Sequence, residues 1–119
     1  ESTGETPVSD WLKELKNRDR QGLAKCLAKI QRLEALGHEL RRPEADYLED
    51  DIYELRAKKG HVNYRILYFF YGQNVTILAH ALTKERKIPA ADLTRAKNRK
   101  AAFEKNPIAH TAPLSLSDH

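Results

Sequence analysis

Apolar residues recur at helical spacing along the first third of the chain. Thr6 and Pro7 are typical of a helix start, with threonine as the N-cap and proline at the first helical position. Two apolar faces with a helical period follow: Val8, Trp11, Leu12 and Leu15, then Leu23, Cys26, Leu27, Ile30 and Leu33. A polar break separates them, and Gly37 is a good C-terminal stop. The pattern predicts two helices that form an antiparallel hairpin.

The hydrophobic period changes to two after residue 51. Three segments alternate in this way: DIYELRA, HVNYRILYFFY and VTILAHAL. Gly60 and the stretch YGQN supply turns between them, so the short connections predict three antiparallel strands that are neighbours in one sheet. In the third segment, Val75, Ile77, Ala79 and Ala81 are predicted to share one face, and Thr76, Leu78, His80 and Leu82 the other. Residues 38–51, with Pro43 and an acidic cluster, are predicted to form a loop.

A last helix is predicted at about residues 90–105, where Leu93, Ala96 and Phe103 form a thin apolar stripe that we expect to pack weakly. The order of two helices, three strands and a helix predicts one α+β domain over residues 1–106. Residues 107–119 are predicted to be a flexible tail. The helical hairpin should cover one face of the small antiparallel sheet, and the other face should stay partly open.

Composition narrows the class of protein. A length of 119 residues suits one domain, and a single cysteine, Cys26, excludes an internal disulfide or a cysteine-based metal site. Cysteine usage suits a reducing cytoplasm, which is the expected location. No apolar stretch is long enough for a membrane span, and the N-terminus does not resemble a signal peptide. The chain has no methionine, so we expect a native N-terminal piece to be missing.

The net charge of +4 is unevenly distributed. Residues 84–105 hold eight lysines and arginines against three acidic residues, so the positive excess lies in the last third of the chain. This asymmetry indicates a polyanionic partner, although a solubilising helix surface explains it equally well.

Cationic side chains converge on one face of the predicted sheet. Arg56 and Arg65 flank the first strand hairpin, and their parity, like that of His80, opposes the more apolar set of each strand. Lys84, Arg86 and Lys87 extend the group at the exit of the third strand. Arginine forks match phosphate oxygens, and lysine supplies a point charge, so the cluster suits a phosphodiester backbone.

The same cluster could cleave RNA, because attack by a 2′-hydroxyl requires a base, charge stabilisation and an acid. His80, a lysine of lowered pKa and an arginine are suitable groups. These residues could instead be structural, with His80 as part of the sheet, Arg56 paired with Glu54 or with the acidic loop, and Glu85 as the partner of Lys84 or Lys87. The five histidines show no metal-ligand spacing, so neither a metal nor another cofactor is predicted.

The motifs YELR, YRILYFF and ILAHALTKERKIP occur in an order that resembles the toxins of the RelE superfamily, in particular its HigB-like, phage-related Gp49-like branch. The resemblance covers about residues 4–105. It implies the toxin of a type II toxin–antitoxin system, a metal-independent endoribonuclease that cuts mRNA in the ribosomal A site. The implied partners are mRNA, rRNA and a cognate antitoxin, which we expect to carry a helix-turn-helix domain. The family sheet usually has a further strand before the helical hairpin. Here that strand would precede Gly4 and be absent or very short.

Carried over by motif, Arg56 and Arg65 would hold the scissile phosphate and stabilise its developing charge. Lys84 and Lys87 would hold phosphates or transfer protons, and His80 matches a family histidine near the strand end. The expected RNA-contacting residues are Arg86, Arg95, Arg99 and Phe103. Some family members place a base-stacking tyrosine near the C-terminal end, and Phe103 could stack there but could not hydrogen-bond. The alternative is a non-catalytic module of the same fold that binds RNA or an antitoxin.

Overall fold

The N-terminal region forms the predicted helical hairpin. The computed structural model describes residues 7–73, 75–83 and 88–107. Helix α1 spans Pro7–Arg18 and helix α2 spans Arg20–Leu36, followed by a short 3-10 turn at Gly37–Glu39. Asp19 is the N-cap of α2 and accepts a hydrogen bond from the Gly22 N–H at 2.9 Å. Gly37 has a positive φ of 54°, which glycine adopts readily, and ends α2 where the sequence predicts.

Four antiparallel strands form one sheet, in which each strand pairs with its neighbour in sequence. Their bounds are β1 Ala45–Glu49, β2 Ile52–Lys59, β3 Val62–Tyr71 and β4 Val75–Thr83. The prediction of a loop over residues 38–51 is therefore wrong at β1. This strand is short and acidic, and a turn made by Asp50 and Asp51, both at positive φ, connects it to β2. Aspartate tolerates this left-handed conformation, so the hairpin needs no glycine there.

The two helices of the hairpin pack on one face of the sheet, called here the hairpin face. Its buried core combines residues from α1 and α2 with residues from β2 and β3: Leu12, Cys26, Leu33, Leu55, Ile66 and Tyr68. These are the positions at which the sequence periodicities predict apolar faces, and the single cysteine is buried among them, free of any disulfide. The predicted placement of the hairpin on the sheet is thus confirmed.

Helix α3, Ala90–Lys105, packs on the opposite face, called here the α3 face. Its predicted stripe makes the contact: Ala96 and Phe103 are buried in a second core with Ile52, Leu67 and Phe69. The α3 face is therefore less open than predicted, because the helix covers its apolar part. The helix is also tied to the β1–β2 turn by ion pairs of Lys97 with Glu49 and with Asp50.

The register of β4 corrects the predicted assignment of its residues to the two faces of the sheet. Leu67 pairs with His80 but Tyr68 pairs with Leu78, so Ala79 is an extra residue at a β-bulge. In the residues of β4 that precede the bulge, the alternation between the two sheet faces is reversed. Ile77 therefore lies opposite Phe69 in the core on the α3 face, and Leu78 packs against the core on the hairpin face. A bulge of this kind changes a strand's parity without changing its composition, which is why the sequence does not indicate it.

Residues 1–6, 74, 84–87 and 108–119 lie outside the described part of the chain. The extra N-terminal strand, the single-domain boundary and the flexible tail therefore stay predictions. Within the described ranges, no helix has the length and hydrophobicity that a membrane crossing requires.

Candidate functional site

Arg56 and Arg65 form the centre of the candidate site. They are direct partners in the β2–β3 register and lie on the α3 face, where Arg65 also pairs with Leu82 of β4. Like charges placed directly opposite each other destabilise a sheet, so an arrangement of this kind needs compensation. The structure thus brings together the two arginines whose parity the sequence predicts to be shared, while their roles in RNA binding stay predictions.

Glu54 supplies the compensation. It precedes Arg56 by two residues on β2, and its Oε1 accepts a hydrogen bond of 3.1 Å from the Arg56 Nε. Its Oε2 accepts a second hydrogen bond from Arg65. The Glu54 side chain is only 1% exposed, and it is the one charged residue classed as buried in the described ranges. A buried carboxylate is tolerable here because both of its oxygens are paired with guanidinium groups.

Asp46 on β1 adds a second negative charge beside the arginine pair. It accepts a hydrogen bond of 3.3 Å from Arg56 and contacts Arg42 at 3.0 Å. The hydrogen bond from Arg42, and to a smaller extent the charge of Arg56, lowers the pKa of the Asp46 carboxyl, so it is ionised at neutral pH. Both pairings that the sequence left open for Arg56, with Glu54 and with the acidic segment, are present.

The two guanidinium charges are therefore balanced locally by two carboxylates, and the site is less positive than the sequence suggests. Donor capacity remains, however, because each guanidinium carries five N–H groups. The Arg65 Nε is buried, and no acceptor in the described residues bonds to it. The Arg56 side chain is 39% exposed and the Arg65 side chain 17%, so a ligand would reach the pair from the Arg56 side.

His80 lies on the same face but is directed elsewhere. Its Nε2 is 2.7 Å from the Asp92 Oδ1 in the first turn of α3. In the register, Arg65 and His80 occupy opposite corners of a square whose other corners are the buried Leu67 and Leu82. The structure therefore places His80 diagonally from the arginine pair, at a Cα separation of about 7–8 Å for such neighbours, and no described contact joins them.

A groove adjoins His80 at the β4 edge of the sheet, between α1 and α3. It has a volume of about 400 Å³ and is lined by Pro7, Asp10, Trp11, Glu14, His80, Ala81 and Arg99. It is called the α1–α3 groove below. The sequence places Trp11 in a helix face and Arg99 in a basic helix, but it does not indicate that the two lie on opposite walls of one groove.

The other predicted site residues have varied placements. Lys84, Arg86 and Lys87 lie outside the described residues. Arg95 is well exposed and lies 3.9 Å from Asp92. Phe103 is 3% exposed and packs edge-on against Phe69 and Tyr71, so in this arrangement of α3 no base can stack on it.

Sequence reasoning named Glu54 only as a possible structural partner of Arg56, and it missed Asp92. The shared role of Glu54 has a sequence signal, because Glu54 has the strand parity of Arg56 and is the only carboxylate in the strand segment DIYELRA with that parity. Asp92 gives no such signal, because its contact with His80 depends on where α3 docks. Within the described ranges, no group of three or more His, Cys, Asp and Glu side chains could hold a metal ion, and the absence of a cofactor stays a prediction.

The fold and this arginine site define a small α+β domain with paired arginines on the sheet face that α3 partly covers. The family model described as Phage derived protein Gp49-like (DUF891) matches residues 10–101, so the chain belongs to that family, which is part of the RelE/HigB-like toxin group. The resemblance read from the motifs is confirmed. No curated protein shows significant similarity to the chain. Family membership is consistent with the toxin of a toxin–antitoxin module and with an antitoxin as partner.

Proposed function

We propose that this protein is the toxin of a type II toxin–antitoxin pair and cleaves mRNA on the ribosome without a metal ion. The observation that carries the proposal is the arginine pair, opposed across β2 and β3 and joined by the buried Glu54. Like charges opposite each other and a buried carboxylate lower the stability of the fold. The ion pairs of Glu54 do not offset this by connecting distant elements, because they join only strands that are already neighbours. Costly local arrangements of this kind are expected at functional sites.

The proposed ligand of the arginine pair is the scissile phosphate. The hydrogen bond between Arg56 and Asp46 is long at 3.3 Å and lies on the exposed side, so phosphate oxygens can replace Asp46 at small cost. Glu54 meanwhile holds both guanidinium groups in place through other N–H groups. Guanidinium donors aimed at the phosphate would stabilise the additional negative charge that develops as the 2′-oxygen attacks.

The proposed reaction is an internal transfer at phosphorus. The 2′-oxygen bonds to the phosphorus and gives its proton to a base, while the bond to the 5′-oxygen breaks and that oxygen takes up a proton. The products are a 2′,3′-cyclic phosphate and a free 5′-hydroxyl. His80 is the proposed proton-transfer residue, because Asp92 holds its Nε2 and leaves the Nδ1 to exchange a proton. Lys84 and Lys87 remain proposed partners for phosphate binding or proton transfer.

The position of α3 matters for this mechanism and for its inhibition. Ile88 and Leu93 pack against the core that contains Leu82, which separates Arg65 from His80 in the register. We propose that a substrate that contacts both side chains displaces this short stretch. We propose that the antitoxin blocks the site by covering the arginine side of the sheet or by displacing α3. The proposed antitoxin carries a helix-turn-helix domain, and mRNA and rRNA are the proposed nucleic-acid partners.

Induced expression and a translating extract test the proposal together. We expect growth arrest, and mRNA fragments with 2′,3′-cyclic phosphate ends that form even with EDTA present. Arg65→Ala should reduce the cleavage rate by about 10²–10³-fold, because it removes a group that stabilises the transition state. Arg41→Ala, at an exposed arginine outside the site, is the matched control and should cleave normally. If Arg65→Ala is as toxic and as active as the unaltered chain, the arginine site is refuted.

The second candidate function is a non-catalytic module that binds RNA or an antitoxin. The local charge balance of the arginine pair and its diagonal separation from His80 favour this alternative. Salt-sensitive RNA binding without any cleavage product in the translating extract would identify the module and exclude the nuclease.

A further inference from the structure

The α1–α3 groove combines one aromatic ring with acceptors on one wall and donors on the other. Trp11, Asp10 and Glu14 lie on the α1 side, and His80 and Arg99 lie on the β4 and α3 side. We propose that this groove binds an unpaired nucleobase of the RNA, stacked on Trp11, and that it favours guanine. The ligand class rests on the proposed function, because His80 belongs to both the groove and the proposed cleavage site.

The size of the groove fits a base and its sugar. Its volume of about 400 Å³ falls within the range of pockets that take small organic ligands, and a single guanidinium or ammonium group would fill only a small part of it. The Trp11 ring is partly buried and packs edge-on to Tyr64, with ring centroids 6.4 Å apart. A ring held in this way is a preformed surface for stacking, and aromatic stacking is the usual means of holding unpaired bases.

The polar groups of the groove indicate which of the four nucleobases it favours. Asp10 and Glu14 are four residues apart on α1, so both carboxylates lie along one side of the helix. Glu14 meets Arg18 only at 4.0 Å, with both side chains largely exposed, so its carboxylate can bond elsewhere. Carboxylates only accept hydrogen bonds, and guanine is the base whose pairing edge presents two adjacent donors, N1–H and N2–H₂.

A phosphate group or a cationic side chain fits the groove less well. Two carboxylates on one wall repel a phosphate group, so the backbone of the RNA should lie outside the groove. A cationic side chain from a partner protein would meet the Arg99 guanidinium on the opposite wall. A neutral, flat ring with both donors and acceptors suits the mixture of groups best. Continuity with His80 also places the bound base beside the phosphate that the proposed reaction cleaves.

Trp11 provides a direct test, because it is the only tryptophan of the chain. The full chain is titrated with GMP, CMP, AMP and UMP while tryptophan emission is followed, with free tryptophan amide as the correction for nucleotide absorbance. We expect saturable quenching by GMP, with a dissociation constant about tenfold lower than that for UMP, as one well-placed hydrogen-bond pair provides. Glu14→Gln should remove most of this preference, and the matched control Glu34→Gln, on the exposed side of α2, should keep it.

Two results would overturn the proposal: no quenching by any nucleotide, or equal affinity for all four with no effect of Glu14→Gln. In the first case, quenching by an arginine-rich peptide would identify a cationic protein segment as the occupant. Binding is measured without ribosomes or cleavage, so the proposed function is tested separately. A chain that binds GMP but never cuts mRNA refutes the nuclease alone, whereas one that cuts mRNA but binds no nucleotide refutes the guanine site alone.

Discussion

Two carboxylates, Asp19 and Glu54, each hold several partners, and they differ in what they connect. Asp19 joins separate parts of the fold: its oxygens accept hydrogen bonds from the Gly22 N–H at 2.9 Å, Lys59 at 2.6 Å and Tyr64 at 2.5 Å. It thereby fastens the start of α2 to the β2–β3 hairpin. Glu54 instead binds Arg56 and Arg65, which the sheet already places side by side.

We interpret the Asp19 network as structural and the Glu54 network as part of the proposed site. Removing the Asp19 network would loosen the start of α2 on the sheet, whereas the strands around Glu54 stay paired through their backbone hydrogen bonds. The charged groups around Glu54 are therefore better explained by a ligand than by a need of the fold. This interpretation predicts opposite consequences when each network is replaced by apolar side chains.

The largest effect is expected when the whole Glu54 network is made apolar. In the triple variant Glu54→Leu, Arg56→Met, Arg65→Met, mRNA cleavage should fall by at least about 10³-fold, because every proposed phosphate donor on the sheet is removed. The melting temperature should stay the same or rise, since apolar residues often replace buried ion pairs without loss. Thermal unfolding and cleavage in a translating extract measure the two outcomes. A clear fall in melting temperature would show that the network is structural.

Asp19→Ala should give the reverse result. The substitution removes the N-cap of α2 and leaves the buried Tyr64 hydroxyl without its acceptor, so the melting temperature should fall by about 10 °C. Glu39→Ala, at an exposed residue of the 3-10 turn, is the control and should unfold like the unaltered chain. Cleavage per folded molecule should not change. A selective loss of cleavage in the folded fraction would contradict the assignment of Asp19 to the fold.

Asp92→Asn extends the comparison to His80, because Asp92, like Glu54, holds a side chain of the proposed site. Asparagine cannot stabilise a protonated His80, so the cleavage rate should fall by about tenfold and its pH dependence should shift. The melting temperature should change little, and the KM for RNA should stay constant, since the substitution alters proton transfer rather than binding. Asp51→Asn, at an exposed turn residue, is the control. An altered KM with an unchanged pH profile would argue against the proton-transfer role of His80.

The smallest effect is expected in acid. Hydrogen bonds from Lys59, Tyr64 and the Gly22 N–H hold the pKa of Asp19 well below its usual range. A carboxylate with a lowered pKa in the folded state stabilises the fold above its unfolded pKa, near 4, and loses this contribution as the pH falls further. The gap in melting temperature between the unaltered chain and Asp19→Asn should be constant from pH 5 to 7 and narrow below about pH 4. A constant gap down to pH 2 would contradict the lowered pKa.

Much of the fold follows from the chain's periodicities. Helical spacing predicts α1, α2 and the packed stripe of α3, and the alternation in β2 and β3 predicts that Arg56 and Arg65 share a face. The pattern does not predict the short strand β1, because its five residues, ADYLE, show little alternation of apolar and polar positions. These elements show that local patterns are informative where one face of an element is buried continuously.

The parts that sequence reasoning missed depend on contacts between distant elements. The bulge at Ala79 reverses one end of β4, and the contact of His80 with Asp92 exists only because the first turn of α3 docks beside β4. Likewise, the pairing of Asp19 with Lys59 and Tyr64 spans 40 and 45 positions of the chain. No local period encodes such contacts, since they are set by how the helices lie on the sheet.

The sequential order of the four strands has a consequence for how quickly the molecule forms. Each strand pairs with the one before it in the chain, and the hairpin turns between them are short. Contacts close in sequence require little loop closure before they become favourable, so folding rates rise as contact order falls. We therefore expect the sheet to assemble by successive hairpins on a millisecond timescale, and a newly synthesised chain to become compact soon after β4 emerges.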